Sequence, residues 1–336
     1  MKSPNYPAAL LLFFLPAISV ELLTGDTPLV TYLDPITFVI LNLTYGGTLL
    51  LIRETVVRWD KGFASVLVLA AGYGMLAEAI DTKGFFTPHF YAVAGSGLEG
   101  FGRGFGVNVP WAVNISIFHA VFSIIVPLVI VSAIFQSPRP WIGNKSYAVL
   151  LVAVIACSAF SFEVLSLAPD YYHYSEGPGP IILILALMAA LIVLAWKLST
   201  RSPQRWPLRM NALALFILGY AYTVAFNFPH LVQRATGSPG IYIAFMLAVY
   251  VALPLLLAFK LQKPTERGKV ALAGGLLMPL MVAGIHGRAG SLVAVVVLLT
   301  VLAVAFWQNR LSTTTTQKTL RPTNVVDRSP SCAKRS

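Results

Sequence analysis

Glu78 and His119 are the residues of this 336-residue chain whose types and surroundings best suit chemistry. Glu78 lies inside an apolar run, between Leu76-Ala77 and Ala79-Ile80. An ionisable group at mid-bilayer costs about 2.5–3.5 kcal/mol on insertion scales, so such groups face a cavity or one another. Asp81 follows at i+3, and two carboxylates on one helix end can share a proton or a cation. Asp81 itself stands at the end of the run and reads as interfacial. Ser116, His119 and Ser123 share one helical face, with His119 about 12 Å in from the helix end near Trp111 by helical rise. A neutral imidazole there either hydrogen-bonds a neighbouring helix or, beside carboxylates, shuttles protons or binds a metal.

Other polar residues fall at comparable depth. Glu21 and Glu163 lie near the ends of apolar runs, and Glu163, Ser166 and Asp170 follow i, i+3, i+7. Tyr220, Thr223, Asn227 and His230 follow i, i+3, i+7, i+10 on a single helical face. That stripe is either an interhelical hydrogen-bond seam, worth about 0.6 kcal/mol per contact, or the wall of a polar pocket. Arg53, Glu54, Arg58 and Asp60 close another run, and Glu54 and Arg58 at i, i+4 read as an ion-paired anchor.

The elements that hold these residues are membrane helices. The composition is 57% hydrophobic and 11% charged, against about 25% charged in a soluble domain. Lipid is therefore the expected solvent. Ten segments are long and apolar enough to count as spans: 8–23, 34–53, 62–80, 111–135, 146–168, 180–198, 209–229, 240–260, 270–286 and 289–307. The first is short, and signal-peptide length is matched without a small-x-small cleavage site, so it is kept as a helix. The basic residues test the count. With a cytoplasmic N-terminus, only Lys83, Arg103, Arg234 and Arg288 of the 24 fall outside, as the positive-inside rule requires.

The expected fold is all-α: a polytopic integral membrane protein of ten helices with both termini cytoplasmic. Residues 1–307 form a single membrane domain with an outer loop over 81–110. Residues 308–336 read as a disordered basic cytoplasmic tail. Net charge is +11, but the basic residues anchor loops to headgroups, so the lipid bilayer and not nucleic acid is the expected partner. Two cysteines, Cys157 and Cys332, build neither a disulfide framework nor a thiolate metal site. No cofactor is legible, and a metal is left open.

Some patterns are weaker than they look. Gly95 to Gly100 satisfies G-x-G-x-x-G, but no strand precedes it and topology puts it outside. The sequons at Asn42 and Asn114 lie within expected helices. Glu21-Leu22-Leu23-Thr24-Gly25-Asp26-Thr27-Pro28, Tyr45-Gly46 through Arg53-Glu54, Gly72-Tyr73-Gly74 through Glu78, and Phe118-His119-Ala120-Val121-Phe122 carry a resemblance. Over about the first 140 residues the chain resembles an uncharacterised family of bacterial and archaeal polytopic membrane proteins, which implies a membrane fold and carries over no function. Glu78, Lys83 and Phe118-His119 bear a fainter similarity to CPBP-type intramembrane proteases. Their Glu-Glu-x-x-x-Arg motif is not matched, because Ala77 and Ala79 flank Glu78 and Lys83 stands at a different spacing.

The leading functional expectation is a transporter in the plasma membrane. Glu21, Glu78 and Glu163 would serve the coupling ion, and Asn227, His230 and His119 the route of a small-molecule, ion or lipid-linked substrate. The alternative is a membrane-embedded hydrolase or transferase, metal-dependent or not, with Glu78 and His119 catalytic at the outer leaflet. A non-catalytic assembly or binding protein is third. The inner halves of the helices hold almost no ionisable groups, which weighs toward outer-face chemistry or binding.

Overall fold

In the computed structural model, residues 4–87, 97–166, 177–199, 209–226, 228–260, 264–285 and 289–319 are described. The chain is a bundle of α1 (Tyr6–Leu22), a short α2 (Leu29–Tyr32), α3 (Pro35–Arg58), α4 (Phe63–Asp81), α5 (Val109–Phe135), α6 (Asn144–Ser166), α7 (Gly179–Lys197), α8 (Ala212–Ala225), α9 (Pro229–Thr236), α10 (Pro239–Leu257), α11 (Glu266–Ile285) and α12 (Ala289–Thr319). Among the described residues nine helical stretches are long and apolar enough to cross a membrane, the one over Ala212–Thr236 comprising α8 and α9, and α1 is a shorter apolar helix. Every segment expected from hydropathy has its counterpart. The last helix continues to Thr319, where the sequence suggested tail from 308 onward.

Helix starts follow local chemistry. Asp34 caps α3, accepting from the N–H groups of Ile36 at 3.1 Å and Thr37 at 3.0 Å. These bonds, that of Thr37 foremost, hold its carboxyl below the usual carboxylate range. Asn108 caps α5 and Asn211 caps α8 in the same way, and each of α3, α5, α7 and α10 carries Pro in its first turn.

Two ends of the bundle can be told apart by the contacts they make. At one end Asn5 N–H donates to Trp141 O, Gln136 Nε2 donates to Asn309 Oδ1, and Arg267 Nε donates to Asn309 O. Asn5 and Asn309 therefore lie at the same end, with the 136–143 connection. The opposite end carries the long segment between α4 and α5. There β1 (Arg103–Gly104) and β2 (Val107–Asn108) form a hairpin whose turn residues Phe105 and Gly106 both have positive φ. Phe85, Phe86 and Leu98 of this segment are buried against Trp111, Tyr242 and Met246.

Helices α8 and α11 pack backbone to backbone. A Cβ on Gly275 would stand 2.0 Å from Phe216 O, and one on Gly219 would stand 2.4 Å from Leu272 O, the close approach that small residues permit between membrane helices. Thr223 adds a 2.7 Å hydrogen bond to Leu276 O across this seam. Thr223→Val keeps the shape and leaves Leu276 O to its own helix. The expected loss is small, about 0.6 kcal/mol and under about 2 kcal/mol, read from unfolding titrations in detergent against wild type.

Among the described residues five helices contain π-helical turns: Ile18–Leu22 in α1, Asn42–Gly47 in α3, Leu76–Asp81 in α4, His119–Ile125 in α5 and Ala248–Ala252 in α10. Such turns make up well under one residue in a hundred of ordinary proteins, so their number and placement call for a cause. Pro127 and Pro254 supply part of it. Neither can donate to the carbonyl four residues earlier, Ser123 or Tyr250, and Tyr250 O instead accepts from the Tyr222 hydroxyl at 3.3 Å.

Candidate functional site

Four of the five π-helical turns meet, and they bring the polar side chains with them. Glu21 comes from the turn of α1, Tyr45 from α3, Glu78 and Asp81 from α4, and His119 and Ser123 from α5. An extra residue in a helical turn widens it and re-aims the side chains that follow. Here it turns otherwise lipid-facing or seam-facing positions into one buried cluster.

Glu21 is held on both sides. Tyr45 Oη donates to one carboxylate oxygen and Thr27 Oγ1 to the other. Thr27 reaches back because Gly25, at φ +79, reverses the chain in the Glu21-Leu22-Leu23-Thr24-Gly25-Asp26-Thr27 run, and the Thr27 N–H closes the turn on Glu21 O at 3.2 Å. Nearby, Ser19 Oγ lies 2.9 Å from Pro16 O and 3.4 Å from Phe122 O, linking the π turns of α1 and α5.

His119 is the centre. Its Nε2 lies 3.1 Å from Glu78 Oε1, and its Nδ1 lies 2.9 Å from Ser123 Oγ. The two contacts fit a neutral imidazole donating from Nε2 to the carboxylate while accepting at Nδ1 from the serine hydroxyl. They fit an imidazolium equally, with the serine turned to accept. The ring is packed by Tyr45, Tyr73 and Phe118, each at 5.8 Å between centroids. Tyr45 and Tyr73 thus separate His119 from Glu21 by one aromatic layer. Close helix packing makes this possible, since a Cβ on Gly74 would stand 2.5 Å from Ser116 Cα.

The other side of Glu78 is left open. Glu78 Oε2, both oxygens of Asp81, the Tyr73 hydroxyl and the Ser158 hydroxyl are buried without a hydrogen-bond partner. Buried polar groups in proteins are nearly always paired, so this concentration distinguishes the site from ordinary core. Among the described residues no three His, Cys, Asp or Glu side chains converge to hold a metal ion. The converging donors are oxygens.

Of the residues singled out from sequence, Glu21, Glu78 and His119 come together. Glu163 does not: it is exposed on α6, where it acts on Lys83. Lys83 is buried at the base of the loop with its Nζ 4.0 Å over the Phe162 ring. Burial lowers its proton affinity and Glu163 partly restores it. The Tyr220–His230 stripe is broken. Helix α8 ends at Ala225, Tyr220 is exposed while Thr223 is buried in the seam with α11, and His230 belongs to α9, half-buried. Asn227, and with it His89, His173 and His286, lies outside the described residues. Asp81 is a correction in the other direction: expected at the interface, it is buried. Tyr45, Tyr73 and Ser158 were not anticipated.

The Glu54 cluster at the opposite end is also more than an interfacial anchor. Glu54 has no exposed surface and pairs with both Arg53 and Arg58. It also accepts from the Trp141 N–H at 2.8 Å.

A model for an uncharacterized membrane protein family matches residues 10–320. No curated protein matches the chain, and no solved structure does. The match runs through every membrane helix from α1 to α12, and on that evidence the chain belongs to this uncharacterized membrane protein family.

Proposed function

We propose that the chain is an ion-coupled transporter of the plasma membrane, with both termini cytoplasmic and the hairpin loop outside. The observation that supports it most is the convergence of four π-helical turns on the His119–Glu78 pair. Transporters place ion sites where membrane helices depart from regular geometry, because such turns free backbone groups and can re-form at little cost. In this reading His119 and Glu78 exchange the coupling proton. Tyr45 transmits the change to Glu21, whose partners Thr27 and Tyr45 come from the α1 terminus and α3. Proton movement in the centre would then shift α1 against α3.

A membrane-embedded hydrolase or transferase is the second reading. It is favoured by the confinement of these groups to one end of the bundle, with a closed arginine cluster at the other. It requires a substrate to reach His119, which lies beneath Tyr45, Tyr73 and Phe118.

The test is charge movement in proteoliposomes on a solid-supported membrane, evoked by pH steps with a panel of amino acids, sugars and organic cations. Wild type is expected to give a pH-driven current enhanced by at least one class. Glu78→Gln, which keeps the shape and removes the charge, is expected to fall to the level of protein-free vesicles. Currents from wild type equal to those of empty vesicles across the panel would sink the transporter reading.

A further inference from the structure

We propose that Asp81, with Ser158 and the unpaired oxygens of Glu78 and Tyr73, binds a small monovalent cation of the sodium class. This rests on the transporter reading for its purpose, since it names a second coupling ion beside the proton, but not for its chemistry.

The argument begins with helix α6. Ser158 and Ser161 are buried polar residues on an otherwise apolar helix that packs against the Leu76–Asp81 turn of α4, while the Cys157 thiol lies 3.9 Å from Ile40 O of α3. Ser158 sits near enough to the Asp81 carboxylate to act on it as a hydrogen-bond donor, yet the pair closes no bond of regular geometry and no other group bonds either Asp81 oxygen. Both side chains are more than nine-tenths buried. The Tyr73 hydroxyl, within electrostatic reach of Asp81, and Glu78 Oε2 are buried and unpaired as well. A carboxylate without a partner in a dry interior is among the costliest groups a fold can carry, and a bound cation removes that cost.

The donor set decides which cation. Every donor is a hard oxygen, which disfavours soft transition metals, and the Cys157 thiol is a bystander. Charge decides the valence. With His119 as the imidazolium, Glu78 is balanced at 3.1 Å, Asp81 adds a single negative charge beside it, and a monovalent ion balances that charge. The π-helical turn Leu76–Asp81 matters too, because a widened turn can offer a backbone carbonyl as a further ligand.

The measurement is thermal unfolding of the full-length protein in detergent, with NaCl, LiCl, KCl and choline chloride exchanged at constant ionic strength. Sodium is expected to raise Tm saturably, on the order of a few degrees, with lithium close behind and potassium and choline without effect. The rise is expected to vanish in Asp81→Asn, to need several-fold more sodium in Ser158→Ala, and to persist in Glu163→Gln. Equal responses to all four salts overturn the proposal, as does a sodium response retained in Asp81→Asn. Should Asp81→Asn fail to fold, Ser158→Ala decides: an unchanged half-effect concentration overturns the site. Because no vesicle or transported substrate is involved, sodium binding without transport would defeat only the transporter reading, and transport without sodium binding only this one.

Discussion

Glu54→Ala is expected to destabilise the protein by about 3–5 kcal/mol, the cost of removing one partner from a buried ion pair. Glu54 has no exposed surface and faces two guanidinium groups, Arg53 and Arg58. Arg53 also donates to the Ser137 and Arg139 carbonyls at 2.9 and 2.6 Å and lies 3.8 Å over the Trp141 ring. Arg58 donates to Ile142 O at 2.8 Å and lies over Tyr147. The cluster thus folds the α5–α6 connection over the end of α3, and the carboxylate also accepts from the Trp141 N–H. Removing Glu54 leaves two cations and two backbone donors, the N–H groups of Trp141 and Ile142, uncompensated together. The loss comes from those orphaned groups and not from a large net attraction. Arg53→Met combined with Glu54→Met is therefore expected to unfold later than Glu54→Met alone. Equal or lower stability of the double variant, in thermal scans in detergent, would refute the orphaned-charge account. So would a Glu54→Ala protein within about 0.5 kcal/mol of wild type, the ordinary range for surface changes.

This cluster also shows where reading the sequence stops short. The Glu54–Arg58 spacing on a helix is visible in the residues themselves, and the pair forms as spacing alone suggests. Its burial is not visible, because it is made by Trp141 and Ile142, far away in the chain, closing over it. The membrane helices were legible for the opposite reason: lipid thickness and hydropathy act on each segment separately, so no tertiary knowledge is needed. The candidate site falls between these cases. Glu21, Glu78 and His119 could be found by depth, as ionisable residues in apolar runs. Tyr45, Tyr73 and Ser158 could not, since Tyr and Ser at helix seams are common and only tertiary packing brings Tyr45 and Tyr73 against His119 and Ser158 beside Asp81. A weak signal for those turns was present in Pro127 and Pro254, each placed to deprive a carbonyl of its donor. The Tyr220–His230 stripe is divided between α8, which ends at Ala225, and α9, which begins at Pro229.

Gly46→Ala is expected to be the most damaging added methyl group among the described glycines. A Cβ at Gly46 would stand 1.5 Å from Phe13 O, 2.4 Å from Phe13 C and 2.7 Å from Phe13 Cα, where 3.4–4 Å is ordinary contact. These are backbone atoms of α1, so no rotamer change relieves the clash, and α1 must separate from α3. Overpacking by side chains costs about 1–3 kcal/mol, and a clash of this depth against backbone is expected to reach or exceed the top of that range. Function is expected to fail with it. Gly46 follows Tyr45 within the same π-helical turn, and the Tyr45–Glu21 bond spans the very gap that would open. Tyr45→Phe separates the two consequences: it deletes that bond while leaving the helices together, so it should cost about 1–3 kcal/mol for the buried acceptor left short of a donor. Gly62→Ala, where a Cβ meets nothing within 4 Å, is the control and should stay within about 0.5 kcal/mol of wild type. Unfolding titrations of the three variants should rank them Gly46→Ala, Tyr45→Phe, Gly62→Ala in order of loss. A Gly46→Ala protein as stable as Gly62→Ala would show that α1 and α3 do not touch where the site depends on their contact.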